Sequence, residues 1–201
     1  MRILVSGATV TMRRLLADKR YQPHLGALLT PQSGNPVLGT VREHGTWWAA
    51  DNAAFSHPDD SAFERLVSDI LDFTYPGYTL APQWVAVPDV VGNHAQTRAL
   101  FSSWVAHWEY EFGRVPVPLA FVLQDGCTIS DVPWDQIDAV FVGGSTEWKL
   151  GPEAIELCEQ AKGIGKWVHV GRVNTLSRLR FAMRHMSADS VDGSGFSQFP
   201  D

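Results

Sequence analysis

Short apolar runs rich in β-branched residues recur along the chain, and most are followed by a stretch with helical spacing of its apolar positions. The runs cover residues 2–5, 26–29, 47–50, 84–87, 119–123, 139–142, 167–170 and 190–191, and most stop at a Gly, Asp, Gln or Thr. Helical periodicity predicts helices over 11–18, 60–73, 94–112, 152–162 and 175–184. Asp59 or Asp60 ahead of Ser61-Ala62-Phe63 supplies an acceptor for the open amides of a first turn. Pro152 after Gly151 suits a first helical position, and Gly163 and Gly165 mark where that helix stops. The segment 31–45, with its glycines and prolines, reads as a loop.

Strands alternating with helices imply parallel pairing through right-handed crossovers. Eight such beats exceed an open doubly wound sheet. They point to a compact single-domain α/β chain, a (β/α)8 TIM-type barrel over residues 1–201, at the short end of that fold's range. Some crossings must then lack a full helix, notably between the second and third strands and around 133–137.

Composition narrows the class. The chain has 201 residues, 45% of them hydrophobic and 19% charged, which excludes a disordered chain and supplies one well-buried core. No apolar run approaches the ~18 residues of a membrane helix, and Ser6-Gly7 and Arg13-Arg14 interrupt any secretory leader. A cytoplasmic protein is expected, in a host cytoplasm if the chain is viral. Two cysteines, Cys127 and Cys158, are too few for a thiolate zinc site. No phosphate loop, nucleophile elbow or histidine pair at metal spacing is present, so no metal or other cofactor is expected. A net charge of −6 argues against a uniformly basic surface, yet Arg172, Arg178, Arg180 and Arg184 lie close together in sequence.

In a barrel of this kind the active site lies at the carboxyl ends of the strands. There the chain places Asp51, Asp89, Gln124-Asp125, Gly143-Gly144, Gly171-Arg172 and Asp192. Carboxylates serve as nucleophile or as general acid and base according to environment. The Gln124 amide suits the edge of a heterocyclic base, and Gly143-Gly144 offers backbone N–H groups to a flat ligand. Phe55, Trp47, Trp48 and Trp148 are candidate stacking surfaces, although most tryptophans belong to the core.

The order of these motifs resembles the tRNA-guanine transglycosylase superfamily, including the branch that places 7-deazaguanine bases in phage and bacterial DNA. Ala50-Asp51-Asn52-Ala53-Ala54-Phe55-Ser56 is similar to the family's Asp-Ser-Gly-Gly-Phe-Gln signature, and Val87-Pro88-Asp89 to its next strand-end aspartate. Gln124-Asp125-Gly126, Val142-Gly143-Gly144 and Val170-Gly171-Arg172-Val173 are similar to its glutamine-glycine, double-glycine and Gly-Val-Gly segments. Ala188-Asp189-Ser190-Val191-Asp192 resembles the run whose second aspartate is the nucleophile.

The resemblance implies Asp192 as nucleophile, with Asp189 as its competitor, and Asp51 as acid/base. It implies Asp89, Gln124, Gly143, Gly144 and Phe55 as the seat of the base. Arg172, Asn174, Thr175 and Arg178, around the start of the last helix, occupy the place where barrels often bind phosphate. Two departures stand out: Asn52-Ala53-Ala54 replaces the family's glycines, and the zinc subdomain of the tRNA enzymes is missing. The expectation is therefore a compact enzyme acting on DNA rather than tRNA, with a 7-deazaguanine-type base as second substrate. A guanine-releasing hydrolase on the same barrel and a non-catalytic deazapurine-binding accessory protein remain alternatives. A homodimer or an accessory partner stays open.

Overall fold

A computed structural model of the chain describes residues 1–7, 9–55, 59–74 and 80–193. Eight parallel strands, β1 (Arg2–Ser6), β2 (Leu25–Leu29), β3 (Trp48–Ala50), β4 (Val85–Ala86), β5 (Leu119–Leu123), β6 (Ala139–Val142), β7 (Trp167–Val170) and β8 (Ser190–Asp192), follow one another around a closed barrel. Closure is made by β1 against β8, with Arg2 opposite Ser190 and Leu4 opposite Asp192. The architecture is a (β/α)8 TIM barrel. Ser56 and residues 194–201, within the expected domain, lie outside the described residues.

Side chains alternate between two cores, as a two-residue period requires. In β5, Leu119, Phe121 and Leu123 face the helices, while Ala120 and Val122 face the barrel interior. That interior joins Leu4, Leu28, Ala49, Trp84, Ala86, Ala120, Val122 and Ala139 with Trp47, Phe141 and Trp167. Small residues make room for large rings: Trp47 stacks on Trp167 with centroids 4.9 Å apart, and Trp84 meets Phe141 edge-on at 5.8 Å. Gly26 belongs to this exchange of volume. A Cβ there would stand 2.7 Å from Leu4 Cδ2 and 2.8 Å from both the Trp47 ring and the Trp47 carbonyl. Gly26→Ala is therefore expected to destabilise by roughly 1–3 kcal/mol through overpacking, read as a lower urea midpoint at unchanged slope.

The outer layer consists of α1 (Thr9–Leu16), α2 (Gly34–His44), α3 (Asp60–Thr74), α4 (His94–Phe112), α5 (Thr146–Lys149), α6 (Pro152–Gly163) and α7 (Leu176–His185). On α3 the residues Phe63, Leu66, Val67, Ile70 and Phe73 form one buried stripe, each contributing ~1.5–3 kcal/mol of burial. Asp59 Oδ1 accepts the Ala62 N–H at 3.0 Å, so Asp59 rather than Asp60 is the cap. Asn93 caps α4 through the Gln96 N–H.

The loop expected over 31–45 is instead largely the helix α2, and the crossing between β2 and β3 is helical. Val37, Leu38 and Val41 are buried on one face, and Thr40 with them. Pro36 sits in the first turn, where its missing N–H has no intrahelical partner to lose. Gly45 takes φ 59° and ends the helix. The crossing around 133–137 does lack a helix, carrying only a 3-10 turn, Ile129–Asp131. The short α5, after β6, was not expected from the sequence.

Candidate active site

The ends of six strands, β3 to β8, and the loops that follow them surround one cavity at the carboxyl end of the barrel, about 440 Å³ of space continuous with solvent. Its lining includes Asp51, Phe55, Asp89, Gln124, Gly143, Gly144, Arg172 and Asp192, together with Asn52, which the sequence reading counted only as a departure. Asp51, Gln124, Gly143 and Asp192 continue the inward parity of β3, β5, β6 and β8, which is why they converge.

Asp51 is pushed up to about 7, first by burial and then by the charges of Asp192 and Asp89, against the amides of Ala53 and Asn52. Ala53 takes the left-handed φ of 59°, so the turn keeps a glycine-type backbone although the glycines are absent. Asn52 locks it: its Oδ1 accepts the Ala54 N–H at 2.6 Å, and its Nδ2 donates to Val87 O at 2.8 Å and Asp89 Oδ1 at 2.9 Å.

Gln124 is buried and fully engaged on its acceptor side. Its Nε2 donates to Asp89 Oδ2 at 2.6 Å, and its Oε1 accepts the N–H groups of Gly92 at 2.8 Å and Gly144 at 3.0 Å. Burial raises Asp89 above the ordinary carboxylate range, despite the hydrogen bonds from Asn52 and Gln124 and the charge of Arg172. The expectation that Gly143-Gly144 presents N–H groups to a ligand is corrected here. Gly143 N–H donates to Leu123 O at 3.0 Å and Gly144 N–H to Gln124, so the pair serves close packing. A Cβ at Gly143 would stand 2.8 Å from Gln124 Nε2, and Gly144 takes φ 68°. Asp125 turns to the next loop, where it accepts from Ser145 N and Oγ at 2.7 and 2.5 Å. Burial raises its carboxyl, but those bonds prevail and hold it low.

Asp192 Oδ1 accepts from His169 Nε2 and from the Arg172 N–H, both at 3.1 Å; Oδ2 accepts no hydrogen bond from the described residues. His169 is fully buried, and burial lowers its pKa although Asp192 raises it. Arg172 has φ 58°, donates through Nη2 to Gly144 O, and lays its guanidinium over Phe55, 4.2 Å from the ring centroid. Beneath this corner the buried Lys149 donates to Gly171 O at 2.5 Å. Burial and the Arg172 charge bring Lys149 down to about 8, Arg178 adding to them and Asp192 opposing.

Several expected residues lie elsewhere. Asp189 precedes β8 at the opposite end of the barrel, paired with Lys162 Nζ at 2.7 and 2.8 Å, which removes it as a rival nucleophile. Thr175 caps α7 by accepting the Arg178 N–H, Asn174 is exposed beside Gly193, and Arg178 lines a separate small cavity with Lys149. Of the expected phosphate group only Arg172 lines the mouth; Asn174 and Thr175 precede α7, and Arg178 lies in its first turn. Trp47 forms part of the barrel interior and Trp48 packs against Phe73. Trp148 lies against Gly144, leaving Phe55 as the aromatic ring in the lining besides the inward Phe141.

His169, Asn52 and Lys149 escaped the sequence reading. The alternation Trp167-Val168-His169-Val170 does carry a signal, since it puts a polar ring on the inward side. Cys127 and Cys158 are buried free thiols pushed up to about 12 by burial. Among the described residues no group of three or more His, Cys, Asp or Glu is placed to hold a metal ion, and no helix is long and apolar enough to cross a membrane.

No protein-family model and no curated protein matches the chain. Solved structures match it in fold. The deoxyribose phosphate aldolase from Aeropyrum pernix gives a TM-score of 0.55 at 13% identity, over 96% of this chain and 86% of that one. An HpcH/Hpal aldolase/citrate lyase family protein from Burkholderia cenocepacia J2315 gives 0.53 at 10%, over 99% and 90%. A mandelate racemase/muconate lactonizing enzyme-like protein from Rubrobacter xylanophilus DSM 9941 gives 0.55 at 13%, with this chain spanning 52% of its length. The shared property is the barrel. None of the three is a transglycosylase, so the motif resemblance rests on sequence alone.

Proposed function

We propose that the chain is an enzyme, a base-exchange glycosyltransferase that replaces guanine in DNA with a 7-deazaguanine derivative through a covalent aspartyl intermediate. The observation that carries this reading is the separation of two carboxyl groups in one mouth. Asp51 is brought to about 7 and so holds a proton near neutrality, while Asp192 is anchored by two N–H donors on one oxygen and has the other unengaged among the described residues. Asp192 Oδ2 attacks the anomeric carbon, the carbon–nitrogen bond breaks, and Asp51 delivers its proton to the departing base. The incoming base then loses a proton to Asp51 as its nitrogen attacks the same carbon and releases Asp192. Phe55 supplies a ring face for the base, and the target nucleotide must be flipped out or single-stranded. Arg180 and Arg184, exposed on α7, suit the phosphate backbone.

A guanine-releasing hydrolase is the second reading. It is favoured by the engagement of Gln124 with Gly92 and Gly144, which leaves fewer groups to select an incoming base. A single-stranded oligodeoxynucleotide carrying radiolabelled guanine separates the two. Release that requires an added 7-deazaguanine supports exchange; equal release without it supports hydrolysis. No release under either condition rejects both.

A further inference from the structure

Asp192 stands at the end of a row of buried polar groups crossing the barrel interior. Trp167 Nε1 donates to Ser190 Oγ at 2.9 Å, Ser190 Oγ lies 2.9 Å from His169 Nδ1, and His169 Nε2 lies 3.1 Å from Asp192 Oδ1. The register puts His169 directly opposite Ser190 across the β7–β8 seam. Direction along this row follows from its last member. A carboxylate can only accept, so His169 Nε2 carries a proton and donates it to Asp192. In a neutral ring Nδ1 is then bare and accepts the O–H of Ser190, whose oxygen also accepts the indole N–H of Trp167.

The surroundings agree. His169 is packed between Phe141 and Trp84, with centroids 4.6 and 4.8 Å away, and a cation there would be without water. The charged groups acting on the ring are Asp192, which favours an imidazolium, and Lys149, which opposes one; burial outweighs both.

We propose that His169 is a positioning residue, fixed by Ser190 and Trp167 as the Nε2–H tautomer, which holds Asp192 by Oδ1 and so assigns Oδ2 as the attacking oxygen. This deepens the base-exchange reading and rests on it for the identity of the attacking atom. A histidine serving only to fill the core would need neither a fixed tautomer nor a donor toward Asp192.

Two measurements test it. In the wild-type protein, ¹⁵N spectra of labelled histidine are expected to show His169 with a bare Nδ1 and a protonated Nε2, unchanged between about pH 5.5 and about pH 8. An imidazolium or an Nδ1–H tautomer overturns the proposal whatever the reaction is. In single-turnover guanine release, His169→Leu is expected to lower kcat on the order of 100-fold at unchanged KM, while His169→Gln, which restores an N–H donor, stays within about tenfold of wild type. A folded His169→Leu variant with wild-type kcat, or equal losses in both variants, overturns it. If the wild-type protein releases no guanine, the base-exchange reading fails and the assignment of Oδ2 fails with it, and the ¹⁵N spectra then decide whether the lock on Oδ1 stands.

Discussion

Asp192→Asn is expected to abolish base exchange, lowering kcat by roughly 10³–10⁶-fold while leaving the barrel folded. The substitution is close to isosteric. An asparagine carbonyl still accepts from His169 Nε2 and the Arg172 N–H, so the β7–β8 corner keeps its hydrogen bonds. What disappears is the charge and the nucleophilic oxygen. Asp192→Ala should be equally inactive but less stable by about 1–3 kcal/mol, because two buried donors lose their acceptor. The check is a denaturing gel of protein incubated with an oligodeoxynucleotide. Wild type should give a covalent adduct that the added base discharges. An adduct in the asparagine variant would sink the assignment. The same variant should also move the loss of the Asp51 proton to lower pH, since the Asp192 charge is one of the causes that raise it.

The second large effect is on stability. Asp51 holds its proton up to about 7 in the folded chain but only to 3.8, the ordinary value, when unfolded. Between those values the folded state binds the extra proton, so unfolding free energy falls as pH rises through the window and levels off above it. The full span corresponds to about 4 kcal/mol. Asp89, also raised, acts in the same sense. His169 acts oppositely: its lowered pKa makes stability rise with pH toward its ordinary 6.5. Comparison with Asp51→Asn isolates the first contribution. Urea unfolding at about pH 4 and about pH 7.5 should show the wild type losing about 4 kcal/mol relative to the variant. Parallel curves for the two proteins would mean that Asp51 ionises freely. Guanine release by wild type should fall above pH 7 as the acid is consumed.

The barrel was legible because its strands declare themselves twice, by short apolar runs and by the Gly, Asp, Gln or Thr that stops most of them. The helix α2 was hidden by its punctuation: Pro36 and Gly39 read as breakers, while the stripe Val37, Leu38 and Val41 is too short to outweigh them. Convergence of Asp51, Asp89, Gln124 and Asp192 followed from strand order, which sequence carries. Their partners did not. That Gln124 would meet Gly92 and Gly144 depends on the shapes of two loops, and that His169 would face Ser190 depends on a register. How Asn174, Thr175 and Arg178 stand relative to Arg172 likewise depends on the turn between β7 and α7, since closeness in sequence says nothing about which way each side chain points.

The strands of the barrel are not equally bonded. β3 and β4 share a single register pair, Ala50 opposite Val85, whereas β5 and β6 share four. A closed barrel has no edge from which to fray, so any breathing begins where the wall is thinnest. Here the thin place runs between the strands that carry Asp51 and Asp89, stitched at its upper end by the Asn52 side chain. The barrel wall is thus thinnest between the two strands whose ends carry Asp51 and Asp89, and the Asn52 side chain that bridges this seam also ties the spacing of the two carboxyl groups to it.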